Sequence, residues 1–247
     1  MQETSDRQTV GRPRRGRGVP RAKRHEQLLE IARQLVAEGG PKALTMTALS
    51  ELAEVGKPVI YSHFSNSAEV IIELLDLHFK KLTESVEKRL TNARTLTEYI
   101  SCLVDGSFET ESRSNLPVHR ITNGFSSNEM INAAFLKYED EFQKNWEDLL
   151  KHCGVSPDEA EVGGQCISGM VRNTIYSYAL DPRRDIARDV LKKSLLGVIR
   201  SLSPSADENA IVEFHPDTAV RLSRIKLDQS HQRRSEKSRP SKSEANR

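Results

Sequence analysis

The chain has few of the residues that most function classes need. Only three cysteines occur in 247 residues, Cys102, Cys153 and Cys166, and none pairs into a C-x-x-C. Their scatter and odd number exclude a disulfide framework and leave reduced thiols as the expectation. No His-x-x-x-His or His/Cys cluster has metal-ligand spacing, so neither a metal nor a cofactor is expected. There is no glycine-rich phosphate loop and no nucleophile-and-base signature, which excludes the common enzyme classes. No run of about 18 apolar residues is present, so no membrane span is expected. The N-terminal residues turn basic without an apolar stretch, so no secretory signal is read and a cytoplasmic protein is expected. Alternation of apolar and polar residues over strand lengths is also missing, which argues against a sheet.

What is present is helical pattern and segregated charge. Hydrophobic residues make up 36% and charged residues 29%, ordinary values for a globular domain. The formal net charge of +2 conceals two basic ends. Residues 1–24 hold eight Lys/Arg against two acids, and 221–247 hold nine against three, so each end is +6 and the residues between sum to −10. An acidic body with basic ends points to phosphate contact at a defined place rather than a coat of nucleic acid.

Residues 1–20 are Arg/Gly/Pro-rich and aperiodic, and 204–247 are broken by Ser-Pro, His-Pro and Arg-Pro steps; both are expected to be mostly disordered. Between them the predicted fold is all-α. Leu28, Ile31, Ala32 and Leu35 predict a helix over 22–38, stopped by Gly39-Gly40-Pro41. Two short helices follow within 45–64. Ala68, Ile71, Ile72, Leu75, Phe79, Leu82 and Val86 then stripe a long helix. Further helices are predicted at 95–109, 115–124, 128–152, 157–180 and 183–202.

Residues 44–64 read LTMTALSELAEVGKPVIYSHF. Thr45 is a good N-cap for a helix starting at 46. Glu54-Val55-Gly56 breaks the chain, and Pro58 suits the first turn of the next helix. Leu49, Ala53, Val55 and Ile60 can pack together, which leaves Lys57, Val59, Tyr61, Ser62 and His63 around the exposed side. This is the construction of a helix-turn-helix, in which the second helix enters the major groove.

Gly40, Thr45, Leu49, Ala53, Val55, Ile60, Tyr61, His63 and Phe64 fall in register with the N-terminal domain of the TetR family of bacterial transcriptional regulators, which the stretch 24–75 resembles. Four positions depart from the family pattern. Glu54 replaces the turn glycine, at a cost of about 1 kcal/mol if the backbone there is left-handed. Gly56 stands for a serine and would take up part of that strain. Ser50 stands for an alanine, and Ser67 for a lysine that holds phosphate. The resemblance implies a helix-turn-helix domain over 21–67 and a larger helical domain over 68–203 for ligand binding and dimerisation. It implies a homodimer reading a palindromic operator in double-stranded DNA, most simply as a repressor that occludes a promoter.

By chemistry and resemblance together, Thr45, Thr47, Tyr61 and His63 are candidates for backbone phosphate, and Lys57, Pro58, Val59 and Ser62 for base edges. Arg12 and Arg14, in a Gly-Arg-Pro arm like an AT-hook core, are candidates for the minor groove. The family's dimer forms through its last two large helices, here 157–180 and 183–202. Their stripes (Ile167, Met170, Val171, Ile175, Leu191, Leu195) and Gly163, Gly164 and Gly169 suit a close four-helix bundle. A small-molecule effector pocket is expected among Phe108, His119, Phe125, Phe135, Tyr138, Trp146, Met170 and Tyr176. The competing reading is a TetR-like dimerisation module that has lost specific DNA binding.

Overall fold

The computed structural model describes residues 19–203 except 92, 115, 117, 120 and 122–127. Arg12, Arg14, Phe125, residues 1–18 of the first basic end, the whole of the second and much of the helix predicted at 115–124 lie outside the described residues.

The described residues form eight α-helices and no strand. Helix α1 spans Arg21–Gly39 and begins after Pro20, which needs no N–H at a helix start. Leu28, Leu29, Ala32 and Val36 form its buried stripe. Gly40 takes φ 74°, a left-handed conformation natural to glycine, and Pro41–Ala43 turn once more as a 3-10 helix. Helix α2 is Met46–Leu52; the Thr45 hydroxyl caps it by accepting the Ala48 N–H at 3.0 Å. Helix α3 is Lys57–Tyr61, with Pro58 in its first turn. Helix α4, Ser67–Leu90, opens on a capping box that the sequence reading passed over. Asn66 Oδ1 accepts the Glu69 N–H at 3.0 Å while Glu69 accepts the Ser65 N–H at 2.6 Å.

Helix α5 (Leu96–Ser114) lies along α4, α6 (Glu129–His152) and α7 (Pro157–Tyr178) form a long hairpin, and α8 (Arg184–Leu202) rests on α5 and α7. Two apolar clusters hold these layers. One joins Leu28, Leu49, Ile60, Phe64, Ile71 and Leu75 with Ile131 and Phe135 of α6. The other joins Tyr99, Phe108, Trp146, Ile167, Val171, Leu191 and Leu195. Tyr176 packs against both.

The second cluster corrects the expectation for α7 and α8. Ile167, Val171, Ile175, Leu191 and Leu195 are buried within the single chain. A Cβ on Gly163 would meet Leu150 at 2.7 Å, and one on Gly164 would meet the Glu147 backbone nitrogen at 3.0 Å. Those glycines let α7 approach α6, not a second copy. The outward faces carry other residues: Val162, Ile186 and Val190 are 62, 66 and 55% exposed.

The turn between α2 and α3 also differs from expectation. Glu54 has φ 49° and is the one non-glycine with positive φ among the described residues, whereas Gly56 sits at an ordinary −67°. Gly56 therefore relieves nothing, and Glu54 bears the strain alone. Ser50 offsets it: its hydroxyl donates to the Val55 carbonyl at 2.6 Å, and the Val55 N–H returns to the Ser50 carbonyl at 3.2 Å. Replacing Glu54 with glycine is expected to stabilise the fold by about 1 kcal/mol and raise Tm by about 2–4 °C. An unchanged or lowered Tm in a calorimetric scan refutes the strain.

Candidate nucleic-acid interface

Helix α3 has five residues, too few to be stable alone, so its place is set by what it buries. Ile60 and Phe64 are fully buried beneath it, with Leu49 of α2 beside them. The helix period then puts Lys57, Pro58, Val59, Tyr61 and Ser62 outward, all exposed. Thr45 and Thr47 are exposed at the start of α2. Free N–H groups in the first turn of a helix and hydroxyls beside them suit phosphate. The Thr45 backbone N–H is spent on the Ala43 carbonyl at 3.0 Å, so its hydroxyl is what it can offer. The Ser62 hydroxyl donates to the Val59 carbonyl at 2.7 Å and retains its acceptor lone pairs.

His63 was expected on this outer surface and is instead 5% exposed. Its ring turns inward because α1 and α4 supply partners there. His25 Nδ1 and His63 Nδ1 share a hydrogen bond at 3.3 Å, His25 Nε2 meets Glu73 at 2.5 Å, and the His25 ring stacks on Phe64 at 4.7 Å. Arg21 Nη2 donates to the Ser62 carbonyl at 3.0 Å. The end of α3 is thus tied to α1 and through it to α4. The sequence reading missed Arg21 and His25. Position 25 falls one helical turn before Leu28 and Leu29, which was the available signal.

The effector residues are less gathered than expected. Phe108 and Trp146 are solid core, each 2% exposed, and Met170 packs against that core. Phe135 is buried in the other cluster. His119 lies against Tyr176, ring centroids 5.8 Å apart. Tyr138 and Tyr176 do line a common cavity of about 50 Å3 between α4, α5, α6 and α7, together with His78, Phe79, Glu111 and Arg172. Small-molecule sites usually enclose about 300–1,000 Å3, so this cavity is small beside them. Arg172 pairs with Glu139, and the Tyr138 hydroxyl donates to Asp76. On the far side of His78, a groove of about 160 Å3 lies between α1 and α4. There Arg33 of α1 donates to the Ser114 carbonyl at the end of α5, at 3.2 Å.

Burial governs the titrating groups in the cavity. It pushes the Glu111 carboxyl up to about 8, and pulls His78 down to about 4, with the Lys81 charge adding to the second effect. Both are therefore neutral near pH 7, their contact being 3.4 Å.

Two short packed helices, a capped first one and an exposed second one, define a protein of the helix-turn-helix class. Comparison with known proteins shows what this arrangement is similar to. Residues 28–74 match the bacterial regulatory proteins, tetR family. The curated HTH-type transcriptional activator FasR of Mycolicibacterium smegmatis is 30% identical over 113 residues, 44% of this chain and 52% of that one. The chain thus spans about half the length of the curated relative it matches. A transcriptional regulator from Rhodococcus sp. Rha1 has a similar fold, with TM-score 0.62 at 14% identity over 72% of this chain and 97% of that one. SCO4454, a TetR-family regulator from Streptomyces coelicolor, gives 0.61 at 13% identity over 74 and 97%. Residues 28–74 are thus similar to the N-terminal domain of the tetR family, and the described chain shares the all-helical fold of such regulators. No described helix is long and apolar enough to cross a membrane.

The two shifts have opposite consequences for stability. Glu111 holds its proton more tightly folded than unfolded, so its contribution is lost as pH rises from the ordinary 4.5 to about 8. His78 contributes stability that is lost as pH falls from 6.5 towards about 4. The effects oppose each other below 6.5, and above it Glu111 acts alone. Stability is expected to decline between about pH 6.5 and 8, and Glu111→Gln to flatten that decline in denaturant titrations. An equal slope in both proteins refutes the assignment.

Proposed function

We propose that the chain is a sequence-specific DNA-binding transcriptional regulator of the cytoplasm. In this reading it binds a palindromic operator as a homodimer and responds to a small-molecule effector. The observation that carries the reading is the outward row Lys57, Pro58, Val59, Tyr61 and Ser62 over a fully buried Ile60 and Phe64. Lys57 reaches guanine acceptors, Pro58 and Val59 thymine methyls, and Ser62 a base edge. Tyr61, Thr45 and Thr47 fix the register on phosphates. His63 acts from inside, holding α3 against His25. Residues 21–67 form the DNA-binding unit and 68–203 the effector and dimer unit, with α4 running from one into the other.

The dimer uses the outward faces of α7 and α8. Val162, Ile186 and Val190 are exposed there, and Gly169 and Gly197 have open space above them, so a second copy can approach closely. Two motifs related by the resulting two-fold axis read half-sites about 34–36 Å apart, or multiples of that spacing.

Repression by occluding a promoter is the simplest mode, since it needs no further contact. The name of the FasR relative favours a second mode, activation. Transcript levels of the regulated genes in a deletion strain separate the two: they rise for a repressor and fall for an activator.

A gel shift with the chain's own upstream DNA tests the reading. Lys57→Ala is expected to weaken binding by about 1–3 kcal/mol, roughly 5- to 150-fold, and to relax sequence preference. Loss of the shift in the wild type at every ionic strength would leave a dimerisation module without specific DNA binding. Ile186→Asp with Val190→Asp is expected to yield monomers in sedimentation and weaken operator binding with the fold intact; a dimer that persists overturns the interface.

A further inference from the structure

The cavity between α4, α5, α6 and α7 contains a carboxyl group that the fold itself does not explain. Glu111 is 8% exposed, and its nearest charged or titratable contact is His78 Nε2 at 3.4 Å. The other titratable groups around it are Tyr176 and Arg172 from α7 and Tyr138 and Glu139 from α6. Arg172 is the sole cation among these and is already paired with Glu139. Lys81 acts on His78 from the groove under α1, outside the cavity. The Nδ1 atom of His78, itself 5% exposed, has no hydrogen-bond partner among the described residues. A buried carboxyl without a cation costs free energy, because it must stay protonated or carry an unsolvated charge. An amide or an apolar side chain would fill the place at lower cost.

The remaining walls are mostly aromatic and aliphatic. Phe79 stacks on Tyr138 with ring centroids 4.1 Å apart and planes 16° from parallel. Phe142, Leu82, Val171 and Ile175 extend this lining, and the one further polar residue, Ser107, donates its hydroxyl to the Leu103 carbonyl at 2.8 Å. Aromatic faces attract cations, and an apolar ligand body would lie well against them. An anionic head would meet Glu111 and Glu139, with Asp76 behind Tyr138, and would have to take Arg172 from its partner. We propose that the effector cavity takes an apolar organic cation, its ammonium group paired with Glu111 and its hydrocarbon part on the Phe79–Tyr138 stack. This rests on the effector reading given above and specifies the ligand class for it.

Binding then has a defined proton balance. The neutral Glu111 carboxyl releases its proton to solvent, and the carboxylate pairs with the ligand ammonium. Affinity therefore rises with pH up to about 8, where Glu111 is already half ionised. The ion pair also draws Glu111 from His78, which lines both this cavity and the groove against α1. In that way occupancy is felt at the joint with the DNA-binding unit.

The test is isothermal titration of the full chain at pH 7 with benzylammonium, benzyl alcohol and benzoate, which share a ring and differ in head charge. Benzylammonium is expected to bind tighter than the other two by about tenfold. Titration in two buffers of different ionisation enthalpy is expected to show release of close to one proton. Glu111→Gln, isosteric with the neutral carboxyl, is expected to keep its circular dichroism, lose the preference and lose the proton release. Equal or tighter binding of benzoate or benzyl alcohol overturns the cation assignment while leaving the cavity as an effector site. A preference that survives in Glu111→Gln does the same. If none of the three binds at millimolar concentration, the effector reading of the cavity falls together with the proposal, while the gel shift still reports separately on DNA binding.

Discussion

The exposed row from Lys57 to Ser62 exists because Leu49, Ile60 and Phe64 are driven out of water together. Helices of seven and five residues do not form alone, since nucleation costs more than so few hydrogen bonds return. Each of these three side chains is fully buried, and burial of a residue of this size contributes roughly 1.5–3 kcal/mol. Leu28 from α1 and Ile71 and Leu75 from α4 form the other side of the same cluster. The two short helices therefore take their orientation from α1 and α4. The outward row from Lys57 to Ser62 is the remainder of that packing.

Polar ties then join the motif to the rest of the chain. The Glu73–His25–His63 chain runs from α4 through α1 to the end of α3, and Arg21 holds the Ser62 carbonyl from the same helix. On the opposite edge of α1, Arg33 grips the end of α5. Helix α3 is thereby tied to α4 and, through α1, to the end of α5. His78 stands at the centre of this arrangement, between the cavity and the groove beneath α1. A regulator needs such a coupling to favour one of two states, since an effector shifts an equilibrium only by its difference in affinity for them.

The helices of the body were legible because each buries one face, and a buried face at period 3.6 leaves a stripe in the sequence. Predicted spans of 22–38, 128–152 and 183–202 differ from the observed Arg21–Gly39, Glu129–His152 and Arg184–Leu202 by at most one residue at either end. The Thr45 cap and Pro58 placement were legible for a related reason: both act within four residues of themselves. His63 was not legible. Its direction depends on His25 and Phe64, and 38 residues separate it from His25. The same holds for the apolar stripe of α7, which periodicity finds but cannot assign to the chain's own core or to a partner.

By itself the sequence determined the helical class, the run of elements and the register of the helix-turn-helix, because those follow from near-neighbour spacing, capping and backbone preference. The strain at Glu54 was expected only through the family resemblance, which shared it with Gly56; the structure places it on Glu54 alone. Tertiary structure alone decided which faces of α7 and α8 remain outward, that His63 turns in, and that Glu111 and His78 meet inside one small cavity. These outcomes depend on which distant helices arrive on each side, and a side chain's partner, its burial and its proton affinity are properties of that meeting.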